Sequence, residues 1–434
     1  MDIPRSLYTL LVYAVTPLLP LRLWLRGRRE SGYRAAIGER FGRYRRATAA
    51  RSQRTANVFW VHAVSLGETR AAIPIVHRLR KAYPQAQILL THMTATGRET
   101  GRALLGDNIV QAWLPYDLPF AVRSFLSHFQ PTAGLLLETE LWPNLIAECR
   151  RSAVPVYLVN ARLSERSARG YQRVLPLART MLQSLTGIAA QTAADAARFV
   201  ALGAPPPIVT GNLKFDVQIP AAALRLAGVF MSRIGAERRV WAAVSTREGE
   251  EALILEALKR RPLPPSSLLL LVPRHPQRFD DVAKLLRERR IRFLRRSSDS
   301  IVAPEVEVVL GDSVGEMAAY LSSALFAFVG GSLLAYGGQN LIEPLALGRP
   351  VVIGPHTFNF AEAARGAVAA GAALEVADAD ELVSTVHDLL GDDARRARMA
   401  GAALAFHRQH AGAADRTWAW LEPQLEAISP KARG

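Results

Sequence analysis

The residues best suited to chemistry in this sequence stand where apolar runs give out. In WVHAVSLGETR, Glu68 follows such a run within Ser65-Leu66-Gly67-Glu68. A carboxylate there suits two roles. It complements the positive end of a starting helix, or it acts as a general base with a pKa adjusted by burial. As a lone residue it reads as the first. LLLETELWPN carries Glu138 and Glu140 at alternate positions. Two acids on an apolar strand are costly to bury, so one is expected to face a ligand and the other to cap the helix that Pro143 begins. The pair also fits the two carboxylates of a glycosidase. Arg162 and Arg166 in NARLSERS suit an acidic substrate, and Lys214 in GNLKFD suits a charge near a domain junction.

In the second half, LVPRHPQRF puts Arg274 at the end of an apolar run. A guanidinium there calls for an anion, and a phosphate matches its fork. The loop in LGDSVGEM, with Val314, Gly315 and Glu316, opens a helix and offers free N–H groups. The stretch Gly330–Pro344, GGSLLAYGGQNLIEP, lies between the apolar runs Ala324–Val329 and Pro350–Pro355. Strand, Gly-rich loop, helix, strand is the wiring of a parallel α/β unit, and ligands sit at the carboxyl ends of such strands. Glycines let the backbone come close to a ligand, and N–H groups at the helix start favour an anion. Glu343 has the wrong sign for phosphate and suits the paired hydroxyls of a ribose. Phosphate beside ribose means a nucleotide.

These loops need strands to position them. Unbroken apolar runs predict strands over 57–64, 87–94, 110–115, 133–138, 154–160, 187–191 and 208–211, then over 240–245, 267–273, 291–294, 306–310, 325–329 and 350–353. Runs of that kind mark parallel sheets covered on both faces. The chain has 434 residues, half of them hydrophobic, which suits two α/β domains. The expected division is residues 1–54 as a membrane-associating helix and basic segment, 55–212 as an acceptor domain and 213–434 as a donor domain.

The net charge is +16, and residues 1–54 hold twelve arginines against Asp2, Glu30 and Glu39, a local +9. Leu7–Leu25 is apolar with aromatics, is interrupted by Arg22 and prolines, and runs into Arg26-Gly27-Arg28-Arg29. No small-residue cleavage site follows it. It reads as a membrane-surface anchor with its arginines on anionic headgroups at the cytoplasmic face; a buried helix and a single span are the alternatives. Few aromatics interleave the basic block, which argues against nucleic acid. One cysteine rules out a disulfide framework, and the nine histidines are scattered, so no metal is expected.

Taken in order, WVHAVSLGE, LLLETELWPN, NARLSERS, GNLKFD, STREGEE, LVPRHPQRF, FVGGSL, GGQNLIEP and GPHTFNF resemble the 3-deoxy-D-manno-octulosonic acid (Kdo) transferases of lipopolysaccharide synthesis. The resemblance covers most of the chain. It implies the GT-B fold, two Rossmann-like domains facing across a cleft, and an inverting glycosyltransferase that needs no metal or cofactor. The implied donor is CMP-Kdo and the implied acceptor is the lipid A precursor in the inner membrane. It implies Glu68 as the catalytic base, Glu138 and Lys214 as supports of the transition state, and Pro273, Arg274, Val314, Gly315, Glu316, Asn340, Leu341, Ile342 and Glu343 as CMP contacts. Arg247 and Gln339 stand where the family commonly has histidine. Competing readings are another GT-B nucleotide-sugar transferase or epimerase, and a two-domain solute-binding protein.

Overall fold

The computed structural model describes residues 3–44, 57–106, 109–217 and 219–429. Residues 45–54 of the expected basic segment lie outside the described residues. Two compact units emerge, one formed by Met1–Asp216 with Ala411–Gly434 and the other by Val217–His410.

The first unit is built on seven strands, β1 (Val58–His62), β2 (Gln87–His92), β3 (Val110–Trp113), β4 (Ala133–Leu137), β5 (Val156–Ala161), β6 (Gly187–Ala190) and β7 (Ile208–Val209). They pair in parallel in the order β3-β2-β1-β4-β5-β6-β7. Every residue of β1, β4 and β5 is buried, as central strands covered by helices on both faces must be. Trp60, Phe125, Leu136 and Leu158 fill one face, and Phe59, Ile75, Leu90 and Val159 fill the other.

The second unit repeats the plan with β8 (Arg239–Thr246), β9 (Ser267–Pro273), β10 (Phe293–Arg295), β11 (Val308–Leu310), β12 (Ala327–Val329), β13 (Val351–Ile353) and β14 (Ala373–Glu375). Their order is β10-β11-β9-β8-β12-β13-β14, again parallel. Thirteen of these fourteen strands fall on the expected runs. The sequence reading omitted β14, a three-residue sheet edge whose last residue, Glu375, is exposed.

Two expectations about the chain's course change. The first unit ends at Asp216 rather than residue 212, and it takes back the C-terminal helix Ala413–Ile428. That helix buries Ala413, Ala414, Leu421 and Leu425 in the core of the first sheet, and Asp216 accepts a hydrogen bond from the Gly412 N–H just ahead of it at 2.6 Å. At the other terminus, the prolines do not break the apolar stretch. Helices Ile3–Val15 and Leu19–Arg29 join through a single 3-10 turn, and Pro17 and Pro20 sit in the first turns of their segments, where a missing N–H costs no bond. Pro4–Arg28 is thus long and apolar enough to cross a membrane, and very little of it is buried.

Candidate functional site

In both sheets the strand order doubles back, at β1/β4 in the first and at β8/β12 in the second. Loops leaving neighbouring strands diverge at such a point and leave room for a ligand at the carboxyl edge. The sequence-predicted residues follow these strands or their neighbours.

In the first unit, β1 runs through Val64 to Ser65, the N-cap of helix Leu66–Ala82. The Glu68 N–H donates to Ser65 Oγ at 3.4 Å, and the Ser65 hydroxyl donates back to Glu68 Oε1 at 2.9 Å. Glu68 Oε2 accepts from the Val64 N–H at 2.8 Å. The S-x-x-E spacing is that of a capping box, with the carboxylate reaching one residue further back, to the Val64 N–H. Glu68 is 8% exposed. Burial, then the neighbouring charge of Glu138, pushes its pKa from 4.5 up to about 7, against the downward pull of its hydrogen bonds from Val64 and Ser65. The capping carboxylate is therefore one whose ionisation falls near neutrality, the range a general base needs.

Glu138 is the first residue past β4, with φ of +58°. The Lys214 Nζ lies 2.6 Å from its Oε1. Lys214 sits in the 3-10 turn Leu213–Phe215. The side chain of buried Asn160, at φ of +53°, anchors that turn by accepting from the Leu213 N–H at 2.9 Å. Glu68, Glu138 and Lys214 thus form one electrostatic group, although 146 positions separate the first from the last.

The expected cap of helix Pro143–Arg151 is supplied by neither Glu138 nor Glu140. Buried Asp117 accepts from the N–H groups of Asn144 at 3.0 Å and Leu145 at 2.7 Å. Glu140 instead accepts from the Trp142 indole at 2.7 Å and lies 3.7 Å from the His62 Nε2. Arg166 lies exposed on the helix Glu165–Gln172.

In the second unit, the Gly-rich loop after β12 is organised from within. Fully buried Glu250 accepts four backbone N–H groups, from Arg247 (2.8 Å), Gly331 (2.6 Å), Ser332 (3.0 Å) and Leu333 (2.9 Å). These loop amides, expected to face a phosphate, are occupied by this carboxylate. The helix start is likewise used: helix Ile342–Ala346 spans five residues, and the Ile342 N–H donates to the Asn340 side chain at 3.0 Å. Gly330 is required by contact, since a Cβ there would lie 2.6 Å from Thr246 Cα. Sequence reading missed Glu250 because three of its four partners are more than 80 residues away; the local signal is the acidic run after β8, which also reads as an ordinary helix start.

The remaining sequence-predicted residues of the second unit follow strands of the same sheet. Pro273 ends β9 and is buried, and the Arg274 Nε donates to the Gln339 Oε1 at 3.2 Å. Next to β9, the loop after β11 carries exposed Val314 and Gly315, the latter at φ of +86° with open space where a Cβ would be. Glu316 accepts from the Ser313 hydroxyl (2.5 Å) and the Arg296 guanidinium (3.2 Å). Asn340 is exposed and Glu343 half-buried, while Leu341 and Ile342 are core residues whose offering to a ligand is main chain. The Arg247 guanidinium lies over the Tyr336 ring, 4.6 Å from its centre.

Residues 35–217 match the family described as 3-deoxy-D-manno-octulosonic-acid transferase (kdotransferase). The 3-deoxy-D-manno-octulosonic acid transferase of Bordetella pertussis is 46% identical over 433 residues, covering 97% of this chain and 99% of that protein. The chain belongs to the Kdo transferases. The Haemophilus influenzae Kdo transferase is 38% identical over 97% of this chain and 99% of its own. The UDP-GlcNAc 2-epimerase of Neisseria meningitidis, solved with UDP-GlcNAc bound, superposes over 85% of this chain and 100% of its own, with a TM-score of 0.53 at 16% identity. At that identity the likeness is one of fold, and the fold is GT-B. Like other Kdo transferases, the chain is a glycosyltransferase of lipopolysaccharide biosynthesis.

Proposed function

We propose that this Kdo transferase moves Kdo from CMP-Kdo to the lipid A precursor, lipid IVA, with inversion at the anomeric carbon and with Glu68 as general base. The observation that carries the reading is the Glu68 carboxylate, held by Val64 and Ser65 at the edge of the sheet with its pKa near 7.

In this reaction a primary hydroxyl of the acceptor attacks the anomeric carbon from the face opposite the phosphate. The new C–O bond forms as the bond to CMP breaks, the hydroxyl proton passes to Glu68, and CMP leaves as a phosphate anion. Arg274 stabilises the charge that develops on it. Lys214 neutralises Glu138 and so limits the repulsion that Glu68 meets on ionising. Pro273, Arg274, Val314–Glu316 and Asn340–Glu343 form the CMP subsite, with Glu343 on the ribose hydroxyls. One displacement with one base calls for no covalent intermediate, metal or cofactor. In this reading the enzyme works at the cytoplasmic face of the inner membrane, on anionic lipids, and no nucleic acid takes part; the long apolar N-terminal helix and the arginines that follow it support that location.

The test is transfer from CMP-Kdo to lipid IVA by wild type and Glu68→Gln, with products weighed by mass spectrometry. Wild type is expected to add Kdo, and the variant to lose about 10²–10⁴-fold in rate. Full turnover by the variant would overturn the base. No transfer by folded, membrane-reconstituted wild type would overturn the donor–acceptor pair.

A further inference from the structure

A cavity of about 570 Å³ opens within the first unit, between the N-terminal helices and the carboxyl edge of the first sheet. Its helical wall is apolar along Leu11, Val15 and Leu19, then turns basic at Arg22 and Arg26, one helical turn apart. Arg40 faces them. Its guanidinium is 1% exposed, lies 3.9 Å from the centre of the Trp113 ring and donates to the Met93 carbonyl at 3.2 Å, while its Nε has no hydrogen-bond partner. A buried cation with an unused donor wants an anion. The two acids that line the cavity do not supply it. The Asp117 oxygens hold the amides of Asn144 and Leu145, and Glu140 holds the Trp142 indole. The cavity also reaches Val64, whose N–H is the one bonded to the Glu68 carboxylate.

One cavity therefore joins an apolar wall, a three-arginine anion site and the peptide that holds Glu68. We propose that it is the acceptor subsite and binds a phosphorylated, acylated sugar, with a phosphate on Arg22, Arg26 and Arg40 and acyl carbons along Leu11, Val15 and Leu19. The N-terminal helix is then a wall of the substrate site as well as a membrane anchor. This rests on the lipid-acceptor reading above and assigns its phosphate to these arginines.

The full chain in mixed micelles tests it. Arg22 and Arg26 are exposed, so R22A/R26A is expected to keep the fold. Its KM for lipid IVA should rise about tenfold or more, with the KM for CMP-Kdo unchanged and sedimentation with phosphatidylglycerol vesicles retained. The preference for a bisphosphorylated over a monophosphorylated acceptor should shrink to near unity. Leu19→Trp, which fills the apolar end, should raise the same KM with an unchanged Tm. An unchanged acceptor KM with lost vesicle binding would overturn the proposal and leave the helix a membrane anchor only. Binding of fluorescent lipid IVA without donor separates this inference from the reaction itself. Wild-type binding that the double variant loses supports the site even if no Kdo is transferred, and equal binding by both proteins overturns it.

Discussion

Glu68 carries a proton that an exposed glutamate would have released, and the sign of that shift has two consequences. A general base at this position, as proposed, works only when ionised, so kcat/KM should rise with pH through an acid limb near 7. Glu138→Gln removes the like charge that helps raise Glu68, so that limb should move to lower pH, as a pH–rate profile of the variant would show. The second consequence concerns stability. The unfolded chain ionises this residue near 4.5 and the folded chain near 7, so folding is penalised as pH rises through that window and the penalty is complete above it. The ceiling is about 3 kcal/mol, and losing one hydrogen bond to glutamine returns about 1 kcal/mol of it. Glu68→Gln should therefore be more stable than wild type by about 1–2 kcal/mol at pH 8, with the gap closing by pH 4. Urea unfolding at the two pH values checks this. The helix-start role of Glu68 was legible in the sequence, because it follows an apolar run at the head of a helix-length segment. The size of the pKa shift was not, because it comes first from burial in the folded chain and then from a carboxylate 70 positions away.

At the scale of elements, the Gly-rich loop after β12 holds its shape because Glu250 satisfies amides that would otherwise be buried without partners. Glu250→Ala strands four N–H groups and should destabilise the second unit by about 3 kcal/mol or more. Glu250→Gln keeps one acceptor oxygen and should fall between. Both should raise the KM for CMP-Kdo more than they lower kcat, since the residue shapes the loop and does not touch the reacting atoms. A similar dependence holds beside it. Glu251, 1% exposed, is paired in a fork with Arg278 at 2.6 and 2.8 Å, and Arg278→Ala, which leaves that charge buried, should cost about 3–5 kcal/mol by calorimetry. Thirteen strands could be read from apolar runs because burial on both faces writes itself into composition. The expectation of loop amides free for a phosphate does not hold at Gly331, Ser332 and Leu333, because a loop's N–H groups look alike in sequence whether they meet a ligand or a buried carboxylate. The cap on helix Pro143–Arg151 was misassigned for a related reason: Asp117 reaches it through space, and Glu140 was merely nearer in the chain.

For the molecule as a whole, the return of the C-terminal helix to the first unit decides what truncation does. Deleting residues 411–434 uncovers the core around Leu213 and removes Leu421 and Leu425, about 5 kcal/mol or more of burial once the partly buried Trp418 and Trp420 are included. The first unit should then unfold or become the first target of limited proteolysis, while Val217–His410 keeps a cooperative transition of its own. The sequence could not show this, since an amphipathic helix announces a buried face without naming the sheet it covers. The same feature sets an order of events on the ribosome. Domains commonly fold from the N-terminus as they are synthesised, but here the first sheet waits for the last helix to be translated. The second unit, Val217–His410, should reach its native form on the nascent chain first, and the first unit, which bears the apolar N-terminal helix, should stay incomplete until synthesis ends.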